Sequence, residues 1–200
     1  MRQDKVFNPG EAVTSEYFAA LLSSAVDRLI TIDPHLHRHS SMSELYTIPC
    51  KVVHAAPLLS DWIRQNIVNP VIIGPDSESE QWVSEVAANA SAPFLILEKI
   101  RHGDRDVDVS KPVVEQYSSH TPVLVDDIIS TAHTMIETVE HLRVAGMAAP
   151  VCIGVHPVFA GNAYDDLVAA GAAEVISCNT IQHPSNCIDV AGMLATAISE

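Results

Sequence analysis

Two carboxylates stand side by side at Asp126 and Asp127, where the apolar run "TPVLV" gives way to "IISTAHT". Like charges at the mouth of a buried run call for a reason. Carboxylates accept hydrogen bonds from sugar hydroxyls, directly or through Mg2+. The small and hydroxylated residues that follow, Ser130, Thr131 and Thr134 among them, can aim backbone N–H groups and hydroxyls at a phosphate, with the dipole of a following helix assisting. A plainer reading is a helix N-cap in a solvated acidic turn. On residue types alone both stand, and the three hydroxyls tilt the balance toward a phosphate.

Other polar residues recur at equivalent places. Asp33 and His35 follow "RLITI", Pro75 and Asp76 follow "PVIIG", Lys99 and Arg101 follow "PFLILE", and His156 closes "PVCIGV". In parallel α/β sheets, ligands bind beyond the carboxyl ends of the strands. Charge, metal-ligand types and phosphate-friendly types therefore gather at one predicted sheet edge.

The elements that must position these residues follow from hydrophobic pattern. Strands are expected at 28–33, 50–55, 70–76, 93–99, 122–127, 150–155 and 174–179. A helix over 80–90 gathers Trp82, Val83, Val86, Ala87 and Ala90 on one face, and another over 134–145 gathers Met135, Ile136, Val139 and Leu142. Gly146 and Gly171 fall where helix C-caps belong. Near-continuous apolar strands separated by helices predict an α/β fold, a mostly parallel sheet flanked by helices. Residues 34–49 read as a loop, and residues 99–111 as an exposed excursion or hairpin.

Composition sets limits. In 200 residues, 48% are hydrophobic and 18% charged, which describes a chain with a real core. A net charge of −14 offers no basic stripe for a nucleic-acid backbone, so no nucleic-acid partner is expected. No apolar run approaches the roughly 20 residues a membrane span needs, and no signal-peptide pattern opens the chain, so no membrane partner is expected. The four cysteines lack CxxC spacing. Cys152 and Cys178 lie in strand-like runs and read as buried free thiols, consistent with a cytoplasmic location.

"VLVDDIISTAHT" resembles the ribose-5-phosphate signature shared by type I phosphoribosyltransferases and ribose-phosphate pyrophosphokinases. The other motifs resemble the latter family. "MRQDKVF" is similar to its ATP-contacting segment, "ITIDPHLH" to its strand ending in D-x-H, "IIGPDSES" to its pyrophosphate loop, and "LEKIRHGDRDV" to its K-x-R catalytic loop in the archaeal-type form. "SCNTIQHPSNCIDVAGMLATAI" is similar to its C-terminal segment. The resemblance spans essentially the whole chain. It implies transfer of the diphosphoryl group of Mg-ATP to ribose 5-phosphate. Arg2, Gln3 and Asp4 would contact ATP, and His35 and Asp76 would lie at the Mg2+ and pyrophosphate region. Lys99 and Arg101 would act on the reacting phosphates. Asp126, Asp127, Ser130, Thr131, Ala132, His133 and Thr134 would hold ribose 5-phosphate. A homo-oligomer, dimer or higher, is also implied.

Departures accompany the resemblance. Ala132 stands where the signature usually has glycine, Glu78 where glycines normally follow the PD pair, and Pro34 where leucine is common; His37 and His39 are additions. Whole family members have two similar domains, whereas this chain begins at the ATP-contacting segment. Residues 1–48 are thus expected to be a remnant of the N-terminal domain and 49–200 a phosphoribosyltransferase-like C-terminal domain. On that expectation the chain binds ribose 5-phosphate better than ATP. The competing readings are a phosphoribosyltransferase that consumes PRPP and a non-catalytic paralogue that associates with true synthetases.

Overall fold

The computed structural model describes residues 5–6, 8–36, 39–74, 79–97, 99–102, 106–109 and 115–200, with the backbone alone at 81, 99–102, 106–109 and 115. The chain forms two compact units. One comprises residues 1–54 with 191–200, the other residues 55–190. The sequence reading draws its line at 48/49 and leaves the last ten residues with the second part.

In the first unit, helix α1 (Thr14–Ala25) precedes strand β1 (Leu29–Ile32), which pairs in parallel with β2 (Cys50–Val53). The polar, proline-bounded segment between them includes a 3-10 turn, Met42–Glu44, with Met42 buried. Helix α6 (Ala191–Ser199) touches both strands. Arg28 Nη2 donates to the Ile198 carbonyl at 2.7 Å, and Lys51 pairs with the Glu200 carboxylate. Ala19 packs inward from α1, while Tyr17, Phe18 and Leu21 are exposed.

The second unit is built on a six-stranded sheet of order β10-β9-β8-β7-β3-β4 in which every pairing is parallel. Its elements are α2 (Ala56–Asn66), β3 (Pro70–Gly74), α3 (Glu80–Ala90), β4 (Phe94–Ile96), β5 (Lys99–His102), β6 (Asp106–Val109), β7 (Thr121–Ile129), α4 (His133–Val144), β8 (Val151–Pro157), α5 (Ala163–Ala170), β9 (Glu174–Cys178) and β10 (Asn186–Ile188). The strand pattern is doubly apolar because both faces are covered. Val71, Ile73, Leu124 and Cys152 share a core cluster with Met135, Val139 and Leu142 of α4 and Leu167 of α5. On the opposite face, α3 approaches β3 so closely that a Cβ on Gly74 would lie 2.8 Å from Val83 Cγ2. Ser60 joins α2 to α3, its hydroxyl lying 2.7 Å from the Ala56 carbonyl and 3.0 Å from that of Val86.

The predicted α/β fold with a mostly parallel sheet is present, and the expected helices over 80–90 and 134–145 are α3 and α4 to within one residue. Several strand boundaries shift by one to three residues, and two of the shifts bear on the site. The strand expected over 93–99 ends at Ile96, and Lys99 opens an antiparallel hairpin, β5 with β6, inside the predicted excursion. The strand expected over 122–127 runs on to Ile129, because Ile128 and Ile129 continue the pairing with His156 and Pro157 of β8. The carboxylates therefore sit within a strand and not at its tip. Among the described residues, no helix is long and apolar enough to cross a membrane.

Candidate functional site

The chain leaves β3 toward β4 on one side of the sheet and leaves β7 toward β8 on the other, yet β3 and β7 are neighbours. Connections that diverge from adjacent parallel strands open a crevice at their carboxyl ends, the usual ligand position in such sheets. The turn after β7, residues 130–132, borders it.

β7 outruns β3. Leu124 stands beside Ile73, so β3 ends one residue later at Gly74, while β7 continues through Asp126 and Asp127. Among the described residues, the neighbour of β7 from Asp126 onward is β8, with Asp126 beside Gly154 and Ile128 beside His156. Both carboxylates are half-buried. The Asp127 backbone N–H donates to Asp126 Oδ1 at 2.9 Å, orienting that carboxyl. Ile129 can return to the core because Gly154 has no side chain: a Cβ there would lie 2.5 Å from Ile129 Cγ1.

The turn into α4 is fixed by the segment that follows β8. Phe159 N–H donates to the Ile129 carbonyl at 2.9 Å, and Ala160 N–H to that of Ser130 at 3.0 Å. Ala132 precedes the helix at φ +57° and ψ +6°, with no side-chain cap on the helix start. The acidic N-cap weighed from the sequence is thus not what α4 uses. Its first turn carries no acid to complement the positive end of the helix dipole, while its last turn carries His141 and Arg143 at the negative end. Ser130 and Thr134 are half-buried, Thr131 and His133 exposed. The left-handed backbone explains why glycine suits position 132. The extra methyl is buried in the core cluster with Ile129 and Met135, away from solvent.

On the neighbouring strand, the Thr180 hydroxyl donates to the Val155 carbonyl at 2.9 Å. Its one proton is thereby committed, so His156 Nδ1, 3.0 Å from the same oxygen, is the donor in that contact. This fixes the His156 tautomer at the sheet edge.

In the first unit, Asp33 follows β1 at φ +34°, a left-handed conformation that aspartate tolerates better than most residues. Its backbone N–H donates to the Val53 carbonyl at 3.1 Å, and its buried carboxyl meets His54 Nδ1 at 2.8 Å. His35 is half-buried two residues on.

Known proteins share this architecture. The phosphoribosyl transferase domain model matches residues 41–191. Ribose-phosphate pyrophosphokinase from Methanopyrus kandleri is 32% identical over 199 residues, covering 98% of this chain and 67% of that one. The enzyme of the same name from Methanosarcina acetivorans is 32% identical over 200 residues, covering 98% and 68%. The crystal structure of phosphoribosylpyrophosphate synthetase from Mycobacterium smegmatis superposes with a TM-score of 0.81 at 26% identity, over 99% of this chain and 66% of that one.

The chain belongs to the ribose-phosphate pyrophosphokinase family. That relationship places it among transferase enzymes. It spans about two thirds of the length of the relatives it matches.

For this member of the ribose-phosphate pyrophosphokinase family, the structure places Asp126 and Asp127 on β7, Ser130, Thr131 and Ala132 in the turn that follows, and His133 and Thr134 in the first turn of α4. Lys99 and Arg101 occupy alternate positions of β5, within the hairpin. Arg2, Gln3, Asp4 and Asp76 lie outside the described residues, as do His37 and Glu78. His39, one of the added histidines, is engaged locally: its Nδ1 lies 3.2 Å from Glu44 Oε2. The Glu44 carboxyl is held below its usual range, chiefly by the Ser40 hydroxyl and then by His39. Sequence reasoning did not see the Asp33–His54 contact. The signal was a histidine ending the "CKVVH" run beside an aspartate ending "LITID", visible only once those strands are paired.

Among the described residues, no three His, Cys, Asp or Glu side chains gather closely enough to cage a metal ion. Mg2+ asks for less, binding through one or two carboxylates together with substrate phosphates and water. The half-buried Asp126 and Asp127 pair supplies oxygen donors of that class. An imidazole such as His35 suits the waters or phosphates around Mg2+ better than the ion itself.

Proposed function

We propose that this chain is a ribose-phosphate diphosphokinase, making PRPP and AMP from Mg-ATP and ribose 5-phosphate. The observation that carries the reading is the crevice between β3 and β7, where β7 extends two carboxylates past the end of its neighbour and then turns into a helix start without a side-chain cap. Asp126 and Asp127 accept hydrogen bonds from ribose hydroxyls. The hydroxyls of Ser130, Thr131 and Thr134 and the first N–H groups of α4 receive the 5-phosphate.

In the reaction, the 1-hydroxyl oxygen of the sugar bonds to the β-phosphorus of ATP. The bridging bond to the α-phosphate breaks, AMP leaves, and the hydroxyl proton is released. Such transfers depend on positioning and charge neutralisation more than on covalent work by the protein. Lys99 and Arg101, carried on a hairpin, offset charge on the reacting phosphates. Arg2, Gln3 and Asp4 serve ATP. His35 and Asp76 would help hold Mg2+, which would supply neutralisation of phosphate charge.

The test is AMP release from ATP, Mg2+ and ribose 5-phosphate. Turnover that requires all three supports the reading. PRPP consumption that requires a nucleobase would replace it with a phosphoribosyltransferase, and ribose 5-phosphate binding without turnover with a non-catalytic relative.

A further inference from the structure

No step above uses the pair formed by Asp33 and His54. Within one compact unit, the two residues immediately follow the adjacent parallel strands β1 and β2, one position beyond the last rung of the ladder, Ile32 beside Val53. Asp33 is held three ways: its N–H bonds to Val53, its carboxyl is only 6% exposed, and Oδ1 lies 2.8 Å from His54 Nδ1. An ionised carboxylate only accepts, so His54 donates from Nδ1. A backbone at φ +34° on a residue other than glycine persists where its surroundings over-determine it, and such residues cluster at functional sites. The histidine ring itself is 60% exposed, so it contributes little to any core.

We propose that His54 is a positioning residue. By donating to Asp33 it fixes the strained turn that carries His35, and so sets how His35 meets Mg-ATP. This rests on the diphosphokinase reading. An exposed imidazole bonded to a buried carboxylate at the carboxyl ends of two strands is the arrangement by which outer partners orient groups that meet a ligand. Packing alone does not account for it, because the ring is mostly in solvent while the carboxylate it serves is buried.

The experiment compares His54→Ala, His54→Asn and His54→Gln in the full chain. An asparagine amide occupies roughly the place of Nδ1 and can still donate to Asp33, whereas a glutamine amide falls nearer Nε2. Loss of an outer partner typically costs about 10- to 100-fold. His54→Ala and His54→Gln should lose that much in kcat/KM for Mg-ATP, with the KM for ribose 5-phosphate unchanged. His54→Asn should recover most of the loss. The ring resonances of His35, read by 1H–15N spectroscopy, should move in the Ala and Gln variants and return in the Asn variant, with melting temperatures nearly constant. Wild-type Mg-ATP kinetics in His54→Gln, an Asn variant no better than Gln, or unmoved His35 resonances would each overturn the proposal. If the parent chain releases no AMP, the diphosphokinase reading falls, and the His35 resonances with Mg-ATP affinity then decide the positioning role by themselves.

Discussion

Gly154 is where the fold and the proposed sugar site meet, and Gly154→Ala measures how tightly they are joined. The added methyl would lie 2.5 Å from Ile129 Cγ1 and 2.6 Å from Cδ1, so the isoleucine must move. Overpacking of this kind costs about 1–3 kcal/mol. Replacing glycine in an extended strand returns about 0.4–1 kcal/mol through the unfolded chain. The net expectation is a loss of about 1–2 kcal/mol, which for a chain of this size lowers Tm by roughly 2–4 °C per kcal/mol. Ile129→Ala alone should cost about 2–5 kcal/mol. The double variant should cost clearly less than the two together, by about 1–2 kcal/mol, because the methyl added at position 154 enters space the isoleucine has left. Denaturant titrations of the parent and three variants give the cycle. Ribose 5-phosphate affinity should fall in Gly154→Ala as well, since Asp126 lies beside residue 154 and Ser130 follows Ile129. Additive costs, or a single variant that melts like the parent, would refute the packing argument.

Four further outcomes are expected. Asp127→Ala removes a carboxylate acceptor and should weaken ribose 5-phosphate binding at least 10-fold, since hydrogen bonds to charged groups contribute about 1.5–3 kcal/mol; calorimetry showing parental affinity would move the sugar elsewhere. Lys99→Ala should lower kcat far more than substrate binding, and ordinary turnover would remove the hairpin from the reaction. Ala132→Gly relieves about 1–2 kcal/mol of left-handed strain, but removes a buried methyl contributing about 0.8 kcal/mol and loosens the unfolded chain. Its stability should therefore stay within about 1 kcal/mol of the parent by denaturant titration. Burial pushes the Cys152 thiol from 9.0 up to about 12. The folded state holds the neutral thiol while the unfolded state ionises first, so this contribution is complete below pH 9 and drains away between about 9 and 12. Cys152→Ala should flatten the alkaline fall in stability over that range, and a thiol reagent should reach exposed Cys187 in the native protein well before Cys152.

Much of this was legible because apolar runs and helical faces carry local information. The faces of α3 and α4 follow directly from Val83, Val86 and Ala87 and from Met135, Val139 and Leu142. The length of β7 was not legible, since two acids look like a stop. They continue the strand because the neighbour on one side, β3, has ended while β8 has not, and that fact belongs to the sheet. Ala132 could be marked as a departure from glycine, but only its φ of +57° gives the reason. The Asp33–His54 bond joins residues 21 apart, just beyond two strands whose pairing no local pattern reveals. The hairpin inside 99–111 was anticipated as an excursion, and its register needed coordinates.

The division of the chain has a consequence for synthesis. The unit holding β1 and β2 is discontinuous, because residues 191–200 belong to it while residues 55–190 form the other. On the ribosome, α1, β1 and β2 emerge before residues 55–190, yet the helix that touches both strands, with the Lys51–Glu200 pair and the Arg28 bond to Ile198, arrives after them. The six-stranded unit is continuous and can collapse as soon as its own residues are out. Closing the first unit therefore waits on translation of the second. Once the second unit has folded, the loop that must close is compact and no longer a long flexible coil, which lowers the entropic cost of bringing its ends together.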